Sequence, residues 1–196
     1  MGVKPYDSII EYLQSSGSQY IDSGIECTSN LKVQFESMFF STINAAICGG
    51  ISNASGSTYF RHHFTTDTNN NFYYIQRSAS SNASIRINAS TNTWYNVIIN
   101  PVKGTSIVNG VQYNFTALSH NYTTHQNYFI FARKAQSGAI QSKPSRFKSF
   151  KMWKNDILLR EFIPVRKGEI GYMYDKVSGE LFGNVGTGNF TLGPDI

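Results

Sequence analysis

The sequence predicts an all-β protein, and three observations carry that expectation. Apolar and polar residues alternate with a period of two: Leu31, Val33 and Phe35 are apolar while Lys32, Gln34 and Glu36 are polar, and Val111, Tyr113 and Phe115 alternate with Gln112 and Asn114. Turn-forming residues recur at short spacing between such runs. No long stretch repeats its apolar residues at helical spacing. Short strands separated by turns bury a continuous core as a sandwich or a barrel.

From the N-terminus, residues 7–13 are the one segment that fits a helical turn. Strands are expected over 19–21, 31–36, 38–40, 45–48, 59–64, 72–77, 84–88 and 94–100. Ile107-Val108 and Val111-Gln112-Tyr113 flank Asn109-Gly110, a dipeptide that adopts positive φ at low cost and closes a two-residue hairpin. Lys154-Asn155-Asp156 separates strands over 147–153 and 157–163 and predicts a second hairpin. Further strands are expected over 128–132, 171–174 and 190–191. Gly49-Gly50, residues 65–71 and residues 78–82 read as polar loops inside one domain.

At 196 residues and 22.0 kDa the chain is ordinary for one large sandwich, which buries a full core without metals or crosslinks. Residues 1–196 are therefore expected to form a single domain, with 1–8 as a short N-terminal extension. Charged residues are only 15% of the chain and aromatics 14%, a balance that excludes a disordered polyelectrolyte. The net charge of +5 is local: residues 133–176 hold eleven basic and four acidic side chains. Arg133, Lys134, Lys143, Arg146, Lys148, Lys151 and Lys154 follow one another without an intervening acid, a pattern of either a solvated face or a docking surface for an anionic partner. No nucleic-acid module accompanies it, so no specific nucleic acid is expected. Cys27 and Cys48 match no zinc or redox spacing and read as buried free thiols. The start, Met1 to Asp7, shows no apolar core of signal-peptide length, and no segment approaches a membrane span. Six Asn-X-Ser/Thr sequons are expected from an Asn-, Ser- and Thr-rich composition.

Three ordered segments carry a family resemblance. The opening, Ile10-Glu11-Tyr12-Leu13-Gln14-Ser15-Ser16-Gly17-Ser18-Gln19-Tyr20-Ile21, resembles that of concanavalin A-like lectin/glucanase domains found in phage and gut-bacterial surface proteins. The centre, Thr93-Trp94-Tyr95-Asn96-Val97 followed by the Asn109-Gly110 hairpin, is similar to the laminin-G pattern. The close runs through Leu158-Leu159-Arg160-Glu161-Phe162-Ile163-Pro164, Gly171-Tyr172-Met173-Tyr174-Asp175 and Gly183-Asn184-Val185-Gly186-Thr187-Gly188. The resemblance spans nearly the whole chain and implies a two-sheet antiparallel jelly-roll sandwich with its termini close together. It places Trp94, Phe131, Trp153 and Phe162 in the core. Fold alone selects no ligand.

A retaining glucanase on this fold would resemble a Glu-X-Asp-X-X-Glu strand, which sets two carboxylates on one face. The sequence has no such segment, so no enzyme is expected, and no cofactor. His62 and His63 are adjacent and face opposite ways on a strand, and His120 with His125 has loop spacing, so no metal site is expected. The resemblance implies at most a calcium ligand at Asp67. Sugar sites pair aromatic rings with guanidinium, amide or hydroxyl groups. Tyr59, Arg61 and His63 would share one strand face, with Tyr73, Arg77 and Arg86 beside it, as a ligand-binding surface. Lys143, Arg146, Lys148 and Lys151 form the alternative docking surface. The expected function is a non-catalytic adhesion or decoration module on a phage virion or a bacterial cell surface, bound to virion or surface proteins in many copies. The alternative is a carbohydrate-binding module for surface polysaccharide.

Overall fold

The computed structural model describes residues 4–41, 46–52, 60–66, 71–78, 82–118, 121–135, 137–138 and 140–196. Nineteen strands occur among them and no helix. They are Ser8–Ile9 (β1), Leu13–Ser15 (β2), Ile21–Thr28 (β3), Leu31–Phe39 (β4), Ala46–Ile51 (β5), Phe60–Thr66 (β6), Asn71–Ser78 (β7), Asn82–Asn88 (β8), Trp94–Asn100 (β9) and Thr105–Val108 (β10). Then come Val111–Asn114 (β11), Thr123–Ile130 (β12), Ala132–Ala135 (β13), Ile140–Ser142 (β14), Ser145–Lys154 (β15), Ile157–Lys167 (β16), Ile170–Asp175 (β17), Leu181–Phe182 (β18) and Thr191–Leu192 (β19). The first sheet has the order β11-β10-β9-β4-β15-β16-β17-β18, with β1 on β16, β2 on β15 and β19 on β2. The second runs β14-β13-β5-β6-β7-β8, with β12 pairing β3 and β5.

The two inner faces meet in one apolar layer. Alternation sends Leu31, Val33 and Phe35 of β4 inward, with Val97 and Ile99 of β9 and Phe147, Phe150 and Met152 of β15. The second sheet answers with Cys48, Phe64, Tyr74, Tyr128 and Ile130. Phe35 stacks on Phe150 with ring centroids 5.4 Å apart and meets Phe64 of the opposite sheet edge-on at 5.3 Å. Phe131 packs between Phe147 and Phe190 at 4.7 and 4.9 Å.

Both predicted hairpins form. Asn109 and Gly110 have φ of 48° and 83° and close Val108 onto Val111. Asn155 and Asp156 have φ of 52° and 61° and close Lys154 onto Ile157. The fold is the expected all-β two-sheet sandwich, and it departs from the sequence reading at several points. Residues 7–13 form no helical turn, because their backbone is taken by strands: Asp7 N–H donates to Arg166 O, Ile10 N–H to Pro164 O and Glu11 N–H to Pro194 O. Asp7 and Ser8, read as an extension, are thus tied to β16. Ile10 also bridges Asp195, so the termini adjoin.

Gly49 and Gly50 are not loop residues but lie inside β5, where glycine admits a close neighbouring backbone. One pairing is parallel, β5 with β13, because Phe131, at φ 71°, turns the chain out of β12 and along β5. A left-handed Phe costs about 1–3 kcal/mol, and the rings of Phe147 and Phe190 hold it in place. Finally, Phe131 and Phe162 are buried as expected, but Trp94 and Trp153 are only half-buried. Their strand neighbours Tyr95 and Met152 take the inward positions, and the next residue on a strand must face out.

Removing the Phe35 ring takes one side from its stack on Phe150 and from its contact with Phe64 across the two sheets. Phe35→Ala is expected to lower stability by about 3–5 kcal/mol in urea denaturation. A loss of about 1 kcal/mol or less would place Phe35 outside the packed layer.

Candidate functional site

Strand register places the predicted ligand residues of the second sheet together. Arg61 pairs with Arg77 across β6 and β7, and Tyr73 pairs with Thr65 on one side and Arg86 on the other. Paired residues share a face, so Arg61, His63, Tyr73, Arg77 and Arg86 occupy positions on the outer face of this sheet. Tyr59, Asp67 and His120 lie outside the described residues, and of Tyr73 and Arg77 only the backbone positions are described. Arg86 is exposed and Arg61 half-buried.

His63 differs from a ligand-facing residue, being only 1% exposed. One row crosses the sheet in register: Gln141, Arg133, Gly49, His63. Gly49, at φ 135°, carries no Cβ, and one built there would strike the His62 carbonyl and the backbone of His63. Across this bare position the Arg133 guanidinium donates to His63 Nε2, and its Nε donates to Gln141 Oε1 at 2.6 Å. A guanidinium only donates, so Nε2 is the acceptor and the imidazole is neutral with its proton on Nδ1. Burial holds the His63 pKa well below its ordinary value, and the cations of Arg133 and Arg61 push it further down. His63 therefore fixes Arg133 rather than touching a ligand.

His62 points the other way, into the core. Its Nδ1 lies 3.1 Å from the Thr28 carbonyl, which assigns the proton to that nitrogen, and its ring meets Tyr74 and Tyr128 edge-on, each at 5.4 Å. Burial lowers its pKa to about 4, against the opposing pull of the Thr28 bond. Cys27 and Cys48 are free and buried. Burial pushes both thiols up, Cys48 to about 12, so neither is a thiolate at neutral pH. Among the described residues no three His, Cys, Asp or Glu side chains gather as a metal site.

Arg146, Lys148 and Lys151, the β15 part of the basic segment, lie on the outer face of the first sheet, and acids from other strands meet them there. Lys148 Nζ is 3.0 Å from Glu11 and 3.8 Å from Glu36, and it sits 4.3 Å from the Trp94 ring centroid. Lys151 pairs with Glu161 at 3.2 Å. The hydrogen bond from Lys151 lowers the Glu161 pKa, and Lys176 on the same carboxylate adds to it. Arg146 donates to Gln14 Oε1 at 2.7 Å and stacks over Tyr12. Lys143 is exposed.

A cleft of about 300 Å³ opens where three turns meet at one end of the first sheet. Asn30 comes from the β3–β4 turn, Asn100 and Lys103 from the β9–β10 turn, and Asn155 and Asp156 from the β15–β16 turn. Lys32 and Trp153 form its wall, with the Lys32 ammonium 4.6 Å from the indole centroid. Sequence reasoning missed this site, because it assigned Trp153 to the core, put Asn100 at the end of a strand and read Asn155 only as a turn residue. The available signal was the position of Trp153 immediately after Met152, which alternation turns outward once Met152 is buried.

No family model matches the sequence, and no curated protein matches it. Among solved structures the chain is similar to the native heptameric SAP-like pentraxin of Limulus polyphemus, at 16% identity and a TM-score of 0.53, over 75% of this chain and 77% of that one. It is also similar to domains LG4-5 of the mouse laminin alpha1 chain, at 11% identity and a TM-score of 0.56, over 98% of this chain and 48% of that one. The chain thus spans about half the length of the laminin pair. Likeness at these identities is one of fold, and the fold is the concanavalin A-like jelly roll.

The buried imidazoles set a pH dependence. His62 titrates near its ordinary 6.5 when unfolded and at about 4 when folded, so below pH 6.5 the unfolded chain binds the proton first. Stability is fully present above pH 6.5 and is expected to fall by roughly 3 kcal/mol on the way to pH 4. His63, shifted in the same direction, steepens the loss. Urea midpoints measured across this window check it, and His62→Leu should flatten the slope; an unchanged slope would remove His62 as its source.

Proposed function

We propose that this chain is a non-catalytic, lectin-like recognition module, displayed in many copies on a phage particle or a bacterial surface, where it binds polysaccharide. The observation that carries the reading is the shared register of Arg61, Tyr73, Arg77 and Arg86 on one outer sheet face, with Arg133 held beside them by His63. Planar guanidinium donors suit the hydroxyl and carboxylate oxygens of sugars. The heptameric state of the pentraxin supports multicopy display by analogy of fold, and repetition converts weak single sites into strong attachment.

Absence of hydrolysis is supported by the work that five of the carboxylates already do. Glu11 and Glu36 hold Lys148, Glu161 holds Lys151 and Lys176, Asp175 holds Arg160 and Asp195 holds Arg166. Docking through Lys143, Arg146, Lys148 and Lys151 has less support, because Lys148 and Lys151 are already paired with acids and Arg146 is bonded to Gln14.

A glycan array probed with the isolated chain tests this reading. Arg86→Ala and Arg61→Ala are each expected to weaken the best uncharged ligand about tenfold, the worth of one charge-assisted hydrogen bond, with the thermal midpoint of Arg86→Ala unchanged. No reducing ends should appear on incubation with that polysaccharide. A blank array together with salt-labile attachment to particles would instead favour docking by the basic segment.

A further inference from the structure

We propose that the Trp153 cleft is a saccharide-binding site of its own, independent of the Arg61 face, built for a sugar bearing an anionic group such as a carboxylate or a sulfate. The argument rests on which hydrogen-bonding groups the cleft has left over. Asn100 Oδ1 accepts the backbone N–H of Lys103 at 3.1 Å, which fixes that amide because a backbone N–H can only donate. Asn30 Oδ1 accepts from Thr28 Oγ1 at 2.8 Å, and Asn155 Oδ1 accepts from Asn30 Nδ2 at 3.4 Å. All three amide oxygens are therefore engaged within the protein. Each oxygen keeps one lone pair, but the amide N–H groups are mostly unspent, so donors outnumber acceptors.

The charged groups point the same way. Lys32 and Lys103 form no ion pair among the described residues, although the Asp156 carboxylate lines the same cleft. Two ammoniums against one carboxylate, with leftover amide donors around them, make a cleft rich in donors and poor in acceptors. Its complement is a ligand rich in acceptors and negatively charged.

The shape favours a sugar ring. About 300 Å³ is the small end of ligand sites, and the half-buried Trp153 gives an apolar wall among amides, the mixture that takes C–H groups and hydroxyls together. The cleft is also preformed. Asn155 and Asp156 sit in a two-residue hairpin turn, and Gly104 N–H closes the neighbouring turn onto Pro101 O at 3.2 Å, so little ordering remains to be done on binding.

Calorimetric titration of the intact chain with an oligogalacturonate, its fully methyl-esterified form and a sulfated neutral oligosaccharide of the same length tests the assignment. Binding of the galacturonate or of the sulfated sugar is expected, and which of them binds identifies the anionic group. Removing the charge by esterification should weaken binding about tenfold or more, and Lys103→Gln and Lys32→Gln should each do the same. Lys103 is exposed, so its variant keeps the fold, and an unchanged thermal midpoint verifies this. Arg86→Ala should leave this binding intact, which separates the cleft from the Arg61 face and keeps a failure of either from counting against the other. The proposal is overturned if neither anionic sugar binds, if the ester binds as tightly, if Lys103→Gln changes nothing, or if the cleft takes polyphosphate while refusing both sugars.

Discussion

The contact between Phe35 of the first sheet and Phe64 of the second, backed by Phe147 and Phe150, joins two layers that no disulfide ties. Each fully buried aromatic contributes about 1.5–3 kcal/mol through the water it releases. Several of the polar groups in that layer are bonded, which offsets the cost of burying them. The His62 ring donates to Thr28 O, Gln76 Nε2 donates to Ser29 O at 2.7 Å, and the Tyr128 hydroxyl donates to Cys48 Sγ. Those bonds in turn pin the β3–β4 turn to the second sheet. Asn30, one wall of the Trp153 cleft, belongs to that same turn, so the cleft inherits its rigidity from the core.

The outer faces follow from the same constraint. With the inward positions of β15 taken by Phe147, Phe150 and Met152, its remaining residues Arg146, Lys148, Lys151 and Trp153 must all face outward. Packed side by side there, Lys148 and Lys151 lie against carboxylates and Arg146 over an aromatic ring. In the second sheet Gly49 has the corresponding effect, since its missing side chain lets a guanidinium cross one strand to reach an imidazole. Both arrangements are consequences of alternation meeting a filled core.

Local chemistry explains what could be read without coordinates. Asn109-Gly110 and Asn155-Asp156 turn where they do because their backbones tolerate positive φ, and that information is carried by the residues themselves. The all-β class and the alternation of β4 are legible for the same reason. Trp153 is not, because its burial depends on whether Met152 or the indole takes the inward place. The basic run over 133–154 shows its charge in the sequence but not its pairing: Glu11 and Glu36 stand far from it along the chain, Glu161 lies just past the β15–β16 turn, and folding brings all three against it. The cleft combines asparagines from three turns, a juxtaposition that no sequence spacing encodes. Gly49 read as a loop residue because glycine signals both a turn and a close approach, and only the strand beside it decides between them.

The adjoining termini carry a mechanical consequence. Ile10 bridges Asp195, and Ile196 N–H donates to Ile9 O at 3.0 Å, so the two ends leave the sandwich from the same end of an antiparallel pair. Tension applied between them loads these bonds one after another, as in a zip, and not all at once. The β4–β15 pairing and the Phe35 layer lie behind that seam and are spared until it has opened.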